Sequence, residues 1–254
     1  MSGIRVETDG PVTTITLDRP EVMNAISPEM QAHLQAAFDA FAADPSQHLA
    51  VVTGAGDRAF CAGSDLKATE RPPYPKNGYG GIAERFDLSK PIIAAVNGLA
   101  LGGGFEIALA CDIVIAADTA SFGLPEPRVG AMALGGGIHR LVRQIGLKPA
   151  MGMLLACQRI DAHEAHALGI VNEVVPLDQL HAATGRWVDE ILKAAPTAVR
   201  ATKEAALRGL EEPTLGAAIR AQSNYPQWIA HMSSPNAKEG RQAFVEKRPP
   251  RWTD

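Results

Sequence analysis

The first elements are set by the alternation of apolar and polar positions. Residues 4–8 and 12–17 alternate and are rich in β-branched side chains, with Asp9-Gly10 between them, which predicts a β-hairpin. Ser27-Pro28-Glu29 then opens a helix. Ser27 caps it, Pro28 takes the first position, and apolar residues recur at Met30, Leu34, Ala37, Phe38 and Phe41 until Asp44-Pro45 closes it. Leu49 to Thr53, Pro91 to Val96 and Ile113 to Ala117 are short apolar runs that read as buried strands. The second of them leads into a Gly-rich turn and a helix near Phe105–Ala110. Buried strands alternating with helices predict an α/β chain with parallel pairing.

From about residue 136 the period becomes helical. Segments 138–145, 149–156, 162–168, 178–194, 198–209 and 214–232 read as helices, with one strand at Val171–Val175. Strong helix formers return in the run Arg241 to Arg248. Residues 71–81, RPPYPKNGYGG, are too rich in Pro and Gly for a regular element and read as a mobile loop.

Composition narrows the class. The chain has 254 residues, 46% hydrophobic and 20% charged, which suits a soluble domain with a sizeable core. A net charge of −4 leaves no basic excess for general nucleic-acid or membrane-surface binding. Cys61, Cys111 and Cys157 are widely spaced and read as buried free thiols of a reducing compartment. Arg5, Glu7 and Asp9 precede any long apolar run, so the N-terminus does not read as a signal peptide. The stretch 91–110 carries Asn97, Glu106 and a glycine cluster and fails as a membrane helix. A cytoplasmic protein, or an organelle protein lacking its targeting segment, is expected.

Two motifs fail on context. Gly54-Ala-Gly56-Asp-Arg-Ala59 fits a dinucleotide fingerprint formally, but the next residues make a poor first helical turn and no acidic strand end follows. His163-Glu-Ala-His166 places two imidazoles on a helix without a third metal ligand nearby, which fits an exposed amphipathic helix better. No nucleophile-elbow sequence is present. Two other segments carry chemistry. Ala59-Phe-Cys-Ala-Gly-Ser-Asp-Leu-Lys67 follows a buried strand, and its small residues let backbone approach a ligand. Val96-Asn-Gly-Leu-Ala-Leu-Gly-Gly-Gly-Phe-Glu106 leads through four glycines into a helix whose first N–H groups lack partners. One N–H from each segment would form an oxyanion hole. Glu106 beside it, and Glu126 in Ser121-Phe-Gly-Leu-Pro-Glu-Pro127, supply a carboxyl pair suited to general acid–base work.

With these residues in order, the sequence resembles the enoyl-CoA hydratase/isomerase, or crotonase, superfamily over nearly its whole length. The landmarks are Leu17-Asp-Arg-Pro, Asn24-Ala25, Phe60-Cys-Ala-Gly-Ser-Asp-Leu66, Ala94-Ala-Val-Asn-Gly98, Gly102-Gly-Gly-Phe-Glu106, Cys111-Asp112, Phe122-Gly-Leu-Pro-Glu126 and Ala243-Phe-Val-Glu-Lys-Arg248. The resemblance implies a spiral of β-β-α turns over residues 1–195 and a helical C-terminal oligomerisation region over 196–254, which forms trimers or dimers of trimers. It implies that the N–H groups of Ser64 and Gly103 hold a thioester carbonyl and that Ala62, Asp65 and Leu66 meet coenzyme A. Phe244 and Lys247 would touch coenzyme A, from a neighbouring subunit. Glu106 matches the water-activating base and Glu126 the acid that protonates Cα, with roles reversed in dehydration.

The implied reaction is hydration of a 2,3-unsaturated acyl-CoA through an enolate. It needs no metal or redox cofactor, coenzyme A being part of the substrate. Isomerisation of the double bond, dehydration of a hydroxyacyl-CoA, decarboxylation and a non-catalytic CoA- or RNA-binding role are the alternatives. One departure stands out. Similar hydratases carry a Pro-Gly pair shortly after the second glutamate, and here Ala133-Leu134 occupies those places, so a leucine near the glutamate is expected to narrow the pocket or to change where water sits.

Overall fold

The turn at Asp9-Gly10 closes as the sequence dictates. Strands β1 (Ile4–Asp9) and β2 (Val12–Leu17) pair antiparallel, with Asp9 opposite Val12 and Gly10 at a φ of +51°. In this computed structural model residues 3–69 and 72–253 are described, so the start of the Pro/Gly-rich loop at Arg71 lies outside the described residues. The chain forms two compact units: residues up to 85 together with 92–185, and residues 86–91 together with 186 onward.

In the first unit, helix α1 (Pro28–Ala43) begins where Ser27 Oγ accepts the Met30 N–H at 3.2 Å. Its predicted apolar positions, Met30, Leu34, Ala37, Phe38 and Phe41, are all buried. Then follow β3 (Leu49–Gly54), β4 (Ala59–Cys61), β5 (Ile92–Val96), β6 (Leu99–Leu101), helix α2 (Gly103–Ala110), β7 (Ile113–Ala117) and β8 (Ser121–Gly123). Helices α3 (Gly137–Ile145) and α4 (Leu147–Leu155), strand β9 (Ile160–Asp161), helix α5 (Ala162–Ala167) and strand β10 (Glu173–Val175) complete it. One sheet has the order β1-β2-β3-β5-β7-β10 and is parallel from β2 onward. The second has the order β4-β6-β8-β9, with β4, β6 and β8 parallel. The chain therefore visits the large sheet, then the small one, three times in succession. Two buried amides hold the corners. Asn97 Oδ1 accepts the Gly54 N–H at 3.1 Å while its Nδ2 donates to the Gly56 carbonyl at 2.8 Å. Asn24 Nδ2 donates to the carbonyls of Ala55 at 3.0 Å and Ala59 at 2.7 Å. Buried carbonyls that leave one sheet for another need such partners.

Gly54-Ala-Gly56 turns into β4 and opens no helix. The region predicted as a mobile loop is anchored at its far end: Tyr79, Gly80 and Gly81 are buried in a short 3-10 turn. Gln31 Oε1 accepts the Gly80 N–H at 2.6 Å, and Gln35 Oε1 accepts the Asn77 N–H at 3.0 Å. Two polar residues of α1 thus fix a segment whose own composition favours no structure.

The chain passes through helix α6 (Leu180–Leu192) into α7 (Pro196–Gly209) of the second unit. The helix predicted over 214–232 is two helices, α8 (Leu215–Ala221) and α9 (Pro226–Ser233), with a 3-10 turn between them. Pro226 has no N–H to donate and fits only a first turn, so it starts a new helix. The last helix, α10 (Asn236–Glu246), begins five residues before the predicted Arg241 and ends at Lys247 in the left-handed region, φ 53°. Within this unit Glu204 Oε2 accepts the Gln227 N–H at 2.7 Å, and Asn236 Oδ1 accepts the Thr253 N–H at 2.9 Å. Among the described residues no helix is long and apolar enough to cross a membrane.

Candidate active site

Three of the four strands of the small sheet, β4, β6 and β8, each end just before one candidate residue. Ser64 lies three residues after β4, Gly103 two after β6, and Glu126 three after β8. These strands are parallel neighbours, and adjacent strands run about 4.8 Å apart. The three residues are therefore set side by side at one edge of the fold, although 39 and 23 positions separate them in the chain. The contact is direct. A Cβ built on Gly63, whose φ is +94°, would lie 3.3 Å from the Gly103 nitrogen, and one on Gly102 would lie 3.0 Å from Glu126 Oε1.

Local pairing bares the two N–H groups. Ile26 donates to the Gly63 carbonyl at 2.8 Å and accepts the Asp65 N–H at 2.9 Å. In such a bridge the intervening residue turns its own N–H to the opposite side. The Ser64 N–H accordingly has no acceptor among the described residues. Gly103 is the first residue of α2, so its N–H has no intrahelical partner and sits at the positive end of the helix dipole. Gly104 packs this helix directly on β4, where a Cβ would overlap the Cys61 carbonyl.

The two carboxyls differ in setting. Glu106, in the first turn of α2, is 3% exposed, and its Oε1 accepts the Gly137 N–H at 2.8 Å. A Cβ on Gly135 would lie 2.6 Å from Glu106 Oε2, so a glycine run wraps this group. Burial pushes the Glu106 carboxyl up to about 7, the Glu126 charge adds to that, and the N–H groups of Gly137 and Gly135 with the Arg140 cation oppose it. Glu126 opens a 3-10 turn, Glu126–Val129, and is half-buried. Its Oε2 is buried and has no hydrogen-bond partner among the described residues. Burial raises its carboxyl above the usual range. Glu126 Oε1 faces Gly102 while Oε2 is a lone buried acceptor, a setting in which titrating functional groups are found.

The remaining sequence-predicted residues are placed as follows. The Ala62 N–H donates to the Met23 carbonyl at 3.0 Å. Asp65 is held by the Arg19 guanidinium at 3.0 Å and accepts the Lys67 N–H at 3.1 Å, which fixes the turn carrying Ser64. Leu66 is 62% exposed. Phe244 and Lys247 belong to the second unit, on α10 and at its end, with Phe244 fully on the surface. Leu134 is also exposed, and glycines 135 and 137 are what meet Glu106.

Sequence reasoning missed two tyrosines. Tyr79 is buried and accepts from Ser64 Oγ at 3.2 Å. Tyr74 packs edge-on against it, with centroids 5.4 Å apart. Burial raises the Tyr74 phenol above its ordinary value, and the charges of Glu106 and Glu126 raise it further. The only sequence signal was a pair of aromatics in a Pro/Gly-rich stretch. The three cysteines are free and buried, as expected. Burial pushes the Cys61 thiol up to about 12, so it is no nucleophile. His163 and His166 lie on α5, which Asp161 and Glu164 close with a reciprocal cap, and His166 Nδ1 meets the Val171 carbonyl at 2.8 Å. Among the described residues no three His, Cys, Asp or Glu are grouped to hold a metal.

Known proteins fit this arrangement. The family model described as enoyl-CoA hydratase/isomerase matches residues 7–254. A carnitinyl-CoA dehydratase of Proteus mirabilis (strain HI4320) is 40% identical, the match covering 98% of this chain and 97% of that protein. One of Citrobacter koseri is 41% identical over 96% and 95%. The solved structure of an enoyl-CoA hydratase from Mycobacterium tuberculosis H37Rv superposes with a TM-score of 0.93 at 35% identity, covering 100% of this chain and 99% of that one. Family model, relatives and superposed structure agree, and the chain belongs to the enoyl-CoA hydratase/isomerase family.

Proposed function

We propose that this protein adds and removes water across the α,β-bond of an acyl-CoA thioester. The observation that carries the reading is a buried and a half-buried carboxyl, both raised, beside two bare N–H groups. In hydration, water attacks Cβ, the Glu106 carboxylate takes its proton, and Glu126 protonates Cα. In dehydration, the Glu126 carboxylate takes the Cα proton and Glu106 protonates the leaving hydroxyl. In both directions charge builds on the thioester oxygen, which the Ser64 and Gly103 N–H groups face. Losing one such donor typically costs about 3–4 kcal/mol of transition-state stabilisation. No metal or redox cofactor is needed, and coenzyme A enters as part of the substrate.

Either direction requires one proton shared by the pair, held on different partners. Dehydration begins with Glu106 protonated and Glu126 ionised, and the raised Glu106 carboxyl, at about 7, supports that arrangement. The names of the relatives, carnitinyl-CoA dehydratase, support the same emphasis on a 3-hydroxyacyl-CoA. The direct test incubates the protein with crotonyl-CoA, longer and branched enoyl-CoAs, and 3-hydroxyacyl-CoAs including carnitinyl-CoA. Conjugated-thioester absorbance and product mass are followed. Gain or loss of one water is expected, and no such shift from any substrate would refute the reading.

A pH profile follows from the same pair. Above about 7 the pair loses its last proton, because the Glu106 carboxyl titrates there. Log kcat/KM should then fall by about one unit per pH unit in both directions alike. At low pH it should fall again, as Glu126 also becomes protonated. Initial rates with an enoyl-CoA and its 3-hydroxy partner between pH 4.5 and 9 measure this, and a flat profile across neutrality contradicts it.

A further inference from the structure

The Tyr79 hydroxyl touches both residues whose N–H groups face the thioester oxygen. Ser64 Oγ donates to it at 3.2 Å. On the other side a Cβ added to Gly103 would overlap the Tyr79 ring and its hydroxyl oxygen, so only a glycine there leaves room for the phenol. The ring is 1% exposed and is held from several directions. Gln31 anchors the next residue through the Gly80 N–H at 2.6 Å, and Tyr74 meets the ring edge-on at an interplanar angle of 89°. A Cβ on Gly135 would lie 2.9 Å from the Tyr79 Cβ, so the glycine run that wraps Glu106 also packs on Tyr79. A buried hydroxyl must use its proton as well as its lone pairs. With Ser64 as donor, the phenol proton is directed to a second acceptor.

We propose that Tyr79 is a catalytic residue whose hydroxyl donates a third hydrogen bond, beside the Ser64 and Gly103 N–H groups, to the thioester oxygen as negative charge builds on it. The proposal rests on the acyl-CoA reading above. No bond is made or broken at Tyr79, and its proton stays on the phenol. Burial first, and the neighbouring Cys61 and Glu106 next, hold the phenol well above its ordinary value, while the Ser64 hydrogen bond opposes them, so it is a donor wherever the carboxyl pair works. A hydrogen bond to a charged oxygen is roughly twice as strong as one to a neutral oxygen, so its effect falls on the transition state more than on binding.

The test compares the intact protein with Y79F, which keeps the ring and removes only the hydroxyl. The probe is 4-dimethylaminocinnamoyl-CoA, whose absorbance moves to longer wavelength when its carbonyl is polarised, with no turnover required. The parent should shift the probe on binding. Y79F should lose about half of that shift and about 10²-fold in kcat with an enoyl-CoA, while probe Kd stays within about threefold. S64A keeps the backbone N–H and removes only Oγ, so it should lose less, and S64A/Y79F should be no worse than Y79F alone. Parental shift and kcat in Y79F would overturn the proposal. So would a weaker Kd with an undiminished shift, which marks a packing role. A parent that shifts the probe but forms no water adduct overturns the hydration reading alone, and the Y79F comparison of shifts still decides the role of Tyr79.

Discussion

Replacing Glu126 with glutamine should lower kcat by about 10³- to 10⁴-fold in hydration and dehydration alike. Glutamine keeps the shape of the side chain but exchanges no proton with Cα. Because Glu126 Oε2 has no hydrogen-bond partner among the described residues, the change leaves the fold's own bonds to Oε2 untouched. Acyl-CoA Kd and the unfolding midpoint should stay close to the parent values. Exchange of the Cα protons of a saturated acyl-CoA with deuterated water should vanish with turnover. A variant retaining a tenth of parental kcat or more would remove Glu126 from Cα.

Glu106→Gln should be comparably damaging to turnover and yet distinguishable. Water addition is lost, by about 10³-fold, while Cα exchange persists because Glu126 remains. Stability gives a second readout. Burial pushes the Glu106 carboxyl up to about 7 in the folded chain, from an ordinary value of 4.5. The folded state thus holds a proton that the unfolded chain has released, and the parent loses stability as pH rises between those values. The loss amounts to about 3 kcal/mol. The glutamine variant carries no such group, so it should unfold together with the parent at pH 4.5 and later than it at pH 8. A variant less stable than the parent at pH 8 would show that the ionised carboxylate is well solvated or paired in the fold.

Much of this architecture was legible because it follows from local chemistry. The hairpin at Asp9-Gly10, the Ser27 cap and the buried runs β3, β5 and β7 are each decided within a few residues. So were Glu106 and the N–H of Gly103, since a glycine run entering a helix bares backbone wherever it occurs. The small sheet was not legible. Strands β4, β6 and β8 have three residues each, too few to show a period. Tyr79 was hidden for a different reason. Its burial depends on Gln31 of α1 and on Gly103, distant residues whose types carry no mark of the pairing. The division of 214–232 was missed by treating Pro226 as one residue of a long helix when it begins a separate one.

The three successive visits to the small sheet separate what can vary from what cannot. Between β4 and its Ser64 there are two intervening residues, between β6 and Gly103 one, and between β8 and Glu126 two, so a single insertion there would swing one of the three candidate residues away from the others. Among the described residues between Leu66 and Asn77 there is no helix or strand; Tyr74 packs on Tyr79, and Gln35 meets Asn77 at the far end. Apart from Tyr74, that span can therefore be rewritten while the Ser64 and Gly103 N–H groups and the two carboxyls stay where they are. If the proposed function holds, a change of acyl group calls for edits to one connection and leaves the backbone that carries the two carboxyls as it is.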